Sequence, residues 1–214
     1  MDQRRLRPLV VLASAAGMAV YLAVWPHELG HAVAAWLQGC KADGWRTGTR
    51  WYLWGSQGGD VDFGCLARRG RGALAITALA GIAVNLVQIG LAPLLGAWWR
   101  PATAGRRLGW LAATLLWALA NYAEAFSYLV LNSLWLKSDM AGVVAATGIS
   151  RWIWLAAGIL AGGLIARGLL LPAIKKTADA LAGPGGSARF WRFFFILYMA
   201  GVGLAAVVNR AFLG

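Results

Sequence analysis

Long apolar stretches constrain the fold of this chain more than any other feature of its sequence. Several of them exceed the roughly 20 residues that a helix needs to cross a bilayer core about 30 Å thick. Hydrophobic residues make up 60% of the chain and charged residues only 13%, which excludes an ordinary soluble domain. The sequence therefore predicts an all-α, polytopic membrane protein, a helical bundle of about five transmembrane helices. The predicted spans cover residues 9–37, 73–99, 108–136, 152–172 and 190–208.

The segment 39–72 differs from the predicted spans because it is polar and rich in Gly, Trp, Thr and Arg. Alternation over residues 47–53, followed by Gly58-Gly59-Asp60, favours a short membrane-associated β-hairpin that could pair with an extended substrate. A simple aromatic loop at the membrane interface fits equally well. Cys40 and Cys65 flank this segment; they would form a disulfide in an oxidising compartment and stay as free thiols in a reducing one. Zinc ligation by either cysteine is a less favoured alternative, because neither has C-x-x-C spacing.

The first predicted span contains the sequence His27-Glu28-Leu29-Gly30-His31, an H-E-x-x-H motif. Two histidines one turn apart lie on the same face of a helix and can hold one Zn²⁺. Glu28 follows the first ligand and can take a proton from the attacking water and deliver it to the leaving amine. The chain has only two histidines, both within this apolar helix, where ionisable groups are costly and usually functional. The motif indicates a zinc peptide hydrolase, because a hydrogen-bonded pair of core histidines would not call for Glu28 between them.

A zinc site with two histidines needs a third protein ligand, and a carboxylate is the available type. Glu124 and Asp139 lie near the end of the third predicted span, which reaches the same side of the membrane as the histidines. Depth favours Glu124, because Asp139 would lie about 22 Å further along an unbroken helix. Asp139 can be the ligand only if the chain loses helical form near Asn132-Ser133 and folds back. The residues alone leave both alternatives open.

Asn85 lies deep in the second predicted span, four residues after Gly81. Gly81 would allow close approach of a neighbouring helix, and the buried amide of Asn85 would seek a polar partner inside the bundle. We expect Asn85 to bond another helix, or to orient a substrate carbonyl or a metal ligand.

Three stretches of the chain, in this order, resemble the three-helix core of the site-2 protease family of intramembrane zinc metalloproteases. They are His27 to His31, Gly81 to Asn85, and Asn132 to Asp139. In that family the third ligand is an aspartate shortly after an Asn-containing, usually Pro-rich segment, typically in a Leu-Asp-Gly sequence. The resemblance implies that Asp139 is the third ligand, that Glu28 is the base, and that Asn132 is the matching asparagine beside substrate or ligands. This chain departs from the pattern because no proline lies between Asn132 and Asp139, and Met140 replaces the glycine.

Taken together, the sequence predicts a single membrane-embedded metalloprotease domain over residues 1–214. Residues 1–142 would form the catalytic three-helix core, and residues 143–214 would add two accessory transmembrane helices. The expected activity is Zn²⁺-dependent cleavage of a transmembrane protein or peptide substrate within or near the bilayer. The alternative is a non-proteolytic zinc-binding membrane protein, either a carrier or an inactive scaffold. A carrier would need further ligands along a path, and the chain after His31 offers almost none.

The expected location is the cell inner (plasma) membrane, as a multi-pass integral protein. The net charge of +12 favours contact with anionic lipids on both sides of the bilayer. No nucleic-acid recognition motif accompanies that charge, so we expect no nucleic-acid partner.

Overall fold

The computed structural model describes residues 3–47, 50–52, 55–57, 61–98 and 104–182, and most of them are helical. The α-helices are α1 (Gln3–Leu37), α2 (Phe63–Arg69), α3 (Arg71–Trp98), α4 (Ala104–Phe126), α5 (Ser133–Trp135), α6 (Ser138–Thr147), α7 (Arg151–Ile165) and α8 (Leu171–Ala182). Two π-helical segments, Ser127–Asn132 and Ala166–Leu170, and two strands, β1 (Arg50–Tyr52) and β2 (Gly55–Gln57), complete the elements.

Two helical runs among the described residues are long and apolar enough to cross a membrane. They are Arg71–Trp98 and Arg151–Thr177, which correspond to the second and fourth predicted spans. The second run passes without interruption from α7 through a π-helical segment into α8. Residues 190–208, the fifth predicted span, lie outside the described residues, so the count of five spans stays a prediction.

The polar segment after α1 contains a short antiparallel strand pair. Arg50 of β1 lies opposite Gln57 of β2, and Tyr52 lies opposite Gly55. Each strand has only three residues. The role of this segment as a membrane-associated hairpin that pairs with substrate stays a prediction.

Helices α1, α3 and α4 pack together, and α6 packs against α3. The contact between α1 and α3 is close because small residues form it. A Cβ atom added to Gly30 would lie 2.9 Å from the backbone oxygen of Ala80. Ala35 on α1 and Ala78 on α3 are almost completely buried. Small residues let two helix backbones approach in an apolar environment, where dispersion and polar contacts replace the hydrophobic effect as the driving force.

Helix α7 packs against the segment that follows α4, through two glycines one turn apart. A Cβ atom added to Gly158 would lie 3.0 Å from Cβ of Leu129, and one added to Gly162 would lie 3.0 Å from the ring of Phe126. The hydroxyl of Tyr122 donates a hydrogen bond of 3.2 Å to the carbonyl of Gly162. The spacing Gly-x-x-x-Gly thus supplies the flat face on which α7 contacts α4 and its extension.

The chain reverses direction after α4. The π-helical segment Ser127–Asn132 follows α4 directly, and the short α5 ends at Leu136 in the left-handed conformation (φ 52°). Lys137 is extended, and its N–H donates to the carbonyl of Asn132 at 3.1 Å. Ser138, which begins α6, also has φ 52°. The loss of helical form expected near Asn132-Ser133 therefore occurs, but it is centred on Leu136 and Lys137.

A disulfide joins Cys40 to Cys65, with their Cα atoms 5.5 Å apart. It connects the chain just after α1 to α2 and encloses the strand pair. Of the alternatives for these two cysteines, the structure contains the disulfide. Disulfides persist in oxidising compartments.

We expect a maleimide reagent to leave the denatured, non-reduced protein unlabelled and to add two adducts after reduction. The reason is that the chain has two cysteines, and each is bonded to the other. Intact mass spectrometry of protein isolated without reductant measures the adducts. The variant Cys40→Ser is the control, because it should accept one adduct before reduction. Two adducts on the non-reduced wild type would contradict the bridge.

Candidate metal centre

Three side chains from two distant parts of the sequence converge. Two come from the C-terminal half of α1 and one from the first turn of α6. Nε2 of His27 and Nε2 of His31 are 3.0 Å apart. Oδ2 of Asp139 lies 3.7 Å from Nε2 of His27 and 3.2 Å from Nε2 of His31. Among the described residues, these ligand atoms form the group that could hold a metal ion.

The separations between these three atoms are close to those in a tetrahedral metal centre. Metal bonds to nitrogen and oxygen of about 2.0–2.2 Å place neighbouring tetrahedral ligands about 3.3–3.6 Å apart. The separations of 3.0 and 3.2 Å lie just below that range, and the separation of 3.7 Å lies just above it. Three protein ligands would leave a fourth position for water or substrate, which is the pattern of catalytic centres.

A chain of buried hydrogen bonds fixes the tautomer of His27. The backbone carbonyl of Trp117 can only accept, so the Asn121 amide nitrogen donates to it at 2.9 Å. Asn121 therefore turns its oxygen toward Asn85. The amide nitrogen of Asn85 donates one hydrogen bond of 2.8 Å to that oxygen and a second of 3.1 Å to the carbonyl of Ala23. The oxygen of Asn85 is left to accept from Nδ1–H of His27. His27 thus carries a proton on Nδ1, and Nε2 is the ring nitrogen that faces the site.

His31 is held in the same tautomer by a backbone group. Its Nδ1–H donates to the carbonyl of Thr77 at 2.7 Å, and the hydroxyl of Thr77 accepts from Gln38 Nε2 at 2.8 Å. Nε2 of each histidine and Oδ2 of Asp139 therefore face each other at short range. A proton or a metal ion between these atoms would relieve their mutual repulsion. Because both Nδ1 atoms are bonded elsewhere, the two Nε2 atoms are the nitrogens that could bind a metal ion.

The backbone of α3 passes directly beside the two histidines at Gly81. A Cβ atom added there would lie 2.5 Å from Nε2 of His31 and 2.7 Å from Nε2 of His27. Any side chain would therefore collide with the ligand atoms. Gly81 therefore leaves the space beside both Nε2 atoms open, in addition to the close helix packing expected from the sequence.

Asp139 lies in the first turn of α6, and the reversal after α4 brings it to the histidines. The partial positive charge of a helix N-terminus favours a carboxylate at this position. Glu124 interacts electrostatically with His27 and Asp139, but its carboxylate is not in the group of converging ligand atoms among the described residues. The geometry therefore favours Asp139 over Glu124 as the third ligand.

The other predicted site residues are Glu28, Asn85 and Asn132, and none of them is among the three converging ligands. Glu28 is half-buried next to His27 and interacts electrostatically with His31. Asn85 contacts a histidine instead of a substrate, since both its amide hydrogens are used by Ala23 and Asn121. Asn132 acts through its backbone carbonyl at the chain reversal.

Two further groups that the sequence did not predict contribute to the site. The carbonyl of Thr77 could not have been found, because every residue carries one. Tyr128 could have been found, because it lies four residues after Glu124 and so on a similar face of the helix. Its ring lies 4.7 Å from the ring of His27, centroid to centroid, and is tilted by 30°.

We expect Gly81→Ala to abolish metal binding, because the new methyl group would occupy the space beside both Nε2 atoms. Elemental analysis of the purified protein in detergent measures the bound metal. Gly90→Ala is the matched control on the same helix, since a Cβ there meets nothing within 4 Å. Equal metal content in the two variants would show that a methyl group at position 81 does not block the metal site.

We expect Asn85→Ala to lower metal affinity about 10- to 100-fold, because loss of a ligand-orienting hydrogen bond has that effect. Competition with a chromophoric chelator measures the affinity. Gln88→Ala is the control, since Gln88 lies one turn away on α3 and contacts Trp117 rather than a histidine. An unchanged affinity in Asn85→Ala would show that the amide does not orient His27.

Comparison with known proteins gives no relative for this chain: no protein-family model, no curated protein and no solved structure matches it significantly.

Proposed function

We propose that this protein is a membrane-embedded zinc metalloendopeptidase that cleaves transmembrane proteins or peptides within or near the bilayer. The observation that carries the proposal is the convergence of His27, His31 and Asp139 beside Glu28. The proposed location is a multi-pass position in the inner (plasma) membrane, where α1 and α4 would cross the bilayer in addition to Arg71–Trp98 and Arg151–Thr177. Residues 190–208 would supply the fifth span.

Zinc is the proposed metal because two imidazole nitrogens and one carboxylate are a common ligand set of hydrolytic zinc centres. The separations between the ligand atoms support this choice. When bound, zinc would polarise the carbonyl of the scissile peptide and make a bound water more acidic. His27, His31 and Asp139 would hold it, and the Nδ1 hydrogen bonds of the histidines would keep their Nε2 atoms available.

Glu28 is the proposed general base and acid. Its carboxylate would accept a proton from the attacking water and later donate it to the amide nitrogen of the leaving group. Its place next to His27 in α1 and its electrostatic interaction with His31 support this role. A helical substrate hides its carbonyls in hydrogen bonds, so it must unwind locally before one of them can reach the site.

The disulfide supports an orientation for the enzyme. Cys40 and Cys65 lie on the face where α1 ends and α3 begins, which is the same face as the metal centre. Because disulfides persist in oxidising compartments, this face would lie outside the cytoplasm.

The alternative, a zinc carrier or an inactive scaffold, has less support. A carrier needs successive ligand sets along a path. Within the described part of the chain, one group of side chains is close enough to hold a metal ion, and it consists of His27, His31 and Asp139. Neither a carrier nor an inactive scaffold requires the carboxylate of Glu28.

Zinc content and proteolysis of matched variants test the proposal. We expect about one zinc per chain in the wild type and in Glu28→Gln, with cleavage by Glu28→Gln reduced at least about 100-fold through loss of the general base. Asp139→Ala should lose zinc, whereas Glu124→Ala, which removes a neighbouring carboxylate, should keep it. The probes are casein and a fluorogenic transmembrane peptide, both in detergent micelles.

Three results would contradict the proposal. The first is a wild type without zinc, and the second is a zinc-loaded wild type that cleaves neither probe. The third is undiminished cleavage by Glu28→Gln, which would remove the assigned base. Zinc loss in Glu124→Ala but not in Asp139→Ala would transfer the third ligand to Glu124.

A further inference from the structure

Tyr128 lies against the metal centre, although it is not one of the converging ligands. It belongs to the π-helical segment Ser127–Asn132, and its ring faces the ring of His27 at 4.7 Å. Short π-helical segments within helices occur frequently at functional sites, because the wider turn re-aims side chains. Here the segment places the aromatic ring of Tyr128 beside a proposed ligand.

The hydroxyl of Tyr128 meets the first turn of α6. It is in hydrogen-bond contact with the side chain of Ser138, the residue that precedes Asp139, and it interacts electrostatically with Glu124 first, then with Asp139 and Glu28. With its ring against His27 and its hydroxyl at Ser138, the side chain lies beside the converging ligands. Under the proposed function, a substrate carbonyl between Glu28 and Asp139 would lie near this hydroxyl.

The site needs a hydrogen-bond donor that is not already used. During peptide hydrolysis negative charge develops on the carbonyl oxygen, and donors aimed at that oxygen stabilise the transition state. The Nδ1 protons of the two histidines are used by Asn85 and Thr77. The amide hydrogens of Asn85 are used as well. The phenol of Tyr128 carries an O–H that can still donate while its oxygen accepts from Ser138.

We infer that Tyr128 is a catalytic residue that donates a hydrogen bond to the substrate carbonyl oxygen as it becomes an oxyanion. The inference rests on the proposed peptidase function. The water oxygen bonds to the carbonyl carbon while Glu28 takes the water proton, and the carbonyl π electrons move to the oxygen. The oxyanion then re-forms the carbonyl as the C–N bond breaks, and Glu28 returns the proton to the nitrogen. Tyr128 keeps its own proton throughout.

The test compares Tyr128→Phe with Tyr122→Phe. Tyr128→Phe removes the hydroxyl but keeps the ring that packs on His27. Tyr122 is the matched control, because it lies on α4, is half-buried, and bonds the carbonyl of Gly162 on α7. Zinc content, kcat and KM for the fluorogenic transmembrane peptide in detergent, and binding of a phosphinic peptide analogue of the tetrahedral state, are the readouts.

We expect Tyr128→Phe to keep its zinc and KM while kcat falls about 100-fold, the usual effect of removing one oxyanion donor. The phosphinic peptide should bind more weakly by a similar factor, and Tyr122→Phe should match the wild type. A wild-type kcat in Tyr128→Phe would overturn the inference and leave the peptidase proposal intact. Loss of zinc in Tyr128→Phe would also overturn it, because the residue would then only support His27. An inactive wild type would overturn both.

Discussion

The hydrogen bond between His27 and Asn85 is the interaction on which the arrangement of the core depends. It joins α1 to α3, and the second hydrogen bond of Asn85, to Asn121, extends the connection to α4. All three side chains are completely buried. In a low-dielectric interior an unpaired amide is costly, so each partner fixes the orientation of the next. The same network that holds three helices in register therefore also sets the tautomer of a proposed ligand.

The reversal after α4 completes the site from the other side. A continuous helix would carry Asp139 away from the histidines, whereas the turn at Leu136 and Lys137 starts α6 beside α3. Leu136 and Ser138 adopt positive φ angles that are unfavourable for residues with a Cβ. Residues held in such conformations cluster at functional sites, where the surrounding packing compensates for their cost. Packing of α6 on α3 and of α7 on Leu129 holds this turn in place.

Much of this architecture could be predicted from the sequence, but the geometry of the reversal could not. Apolar runs and the H-E-x-x-H motif identify α3, the Arg151–Thr177 run and the two histidines, because hydropathy and helical spacing are local properties. The choice between Glu124 and Asp139 depends on a turn whose central residues, Leu136 and Lys137, have no turn signature. Spacing likewise cannot reveal that Thr77 offers a carbonyl to His31, or that Cys40 bonds to Cys65.

X-ray absorption spectroscopy at the zinc edge, on protein purified in detergent and loaded with zinc, can show whether His27 and His31 bind the metal. It reports the identity and distance of the atoms bound to the metal. We expect only nitrogen and oxygen neighbours at about 2.0–2.2 Å, with multiple scattering from two imidazole rings. Sulfur at about 2.3 Å, or a shell without imidazole scattering, would contradict this expectation, because zinc would then not be bound by His27 and His31.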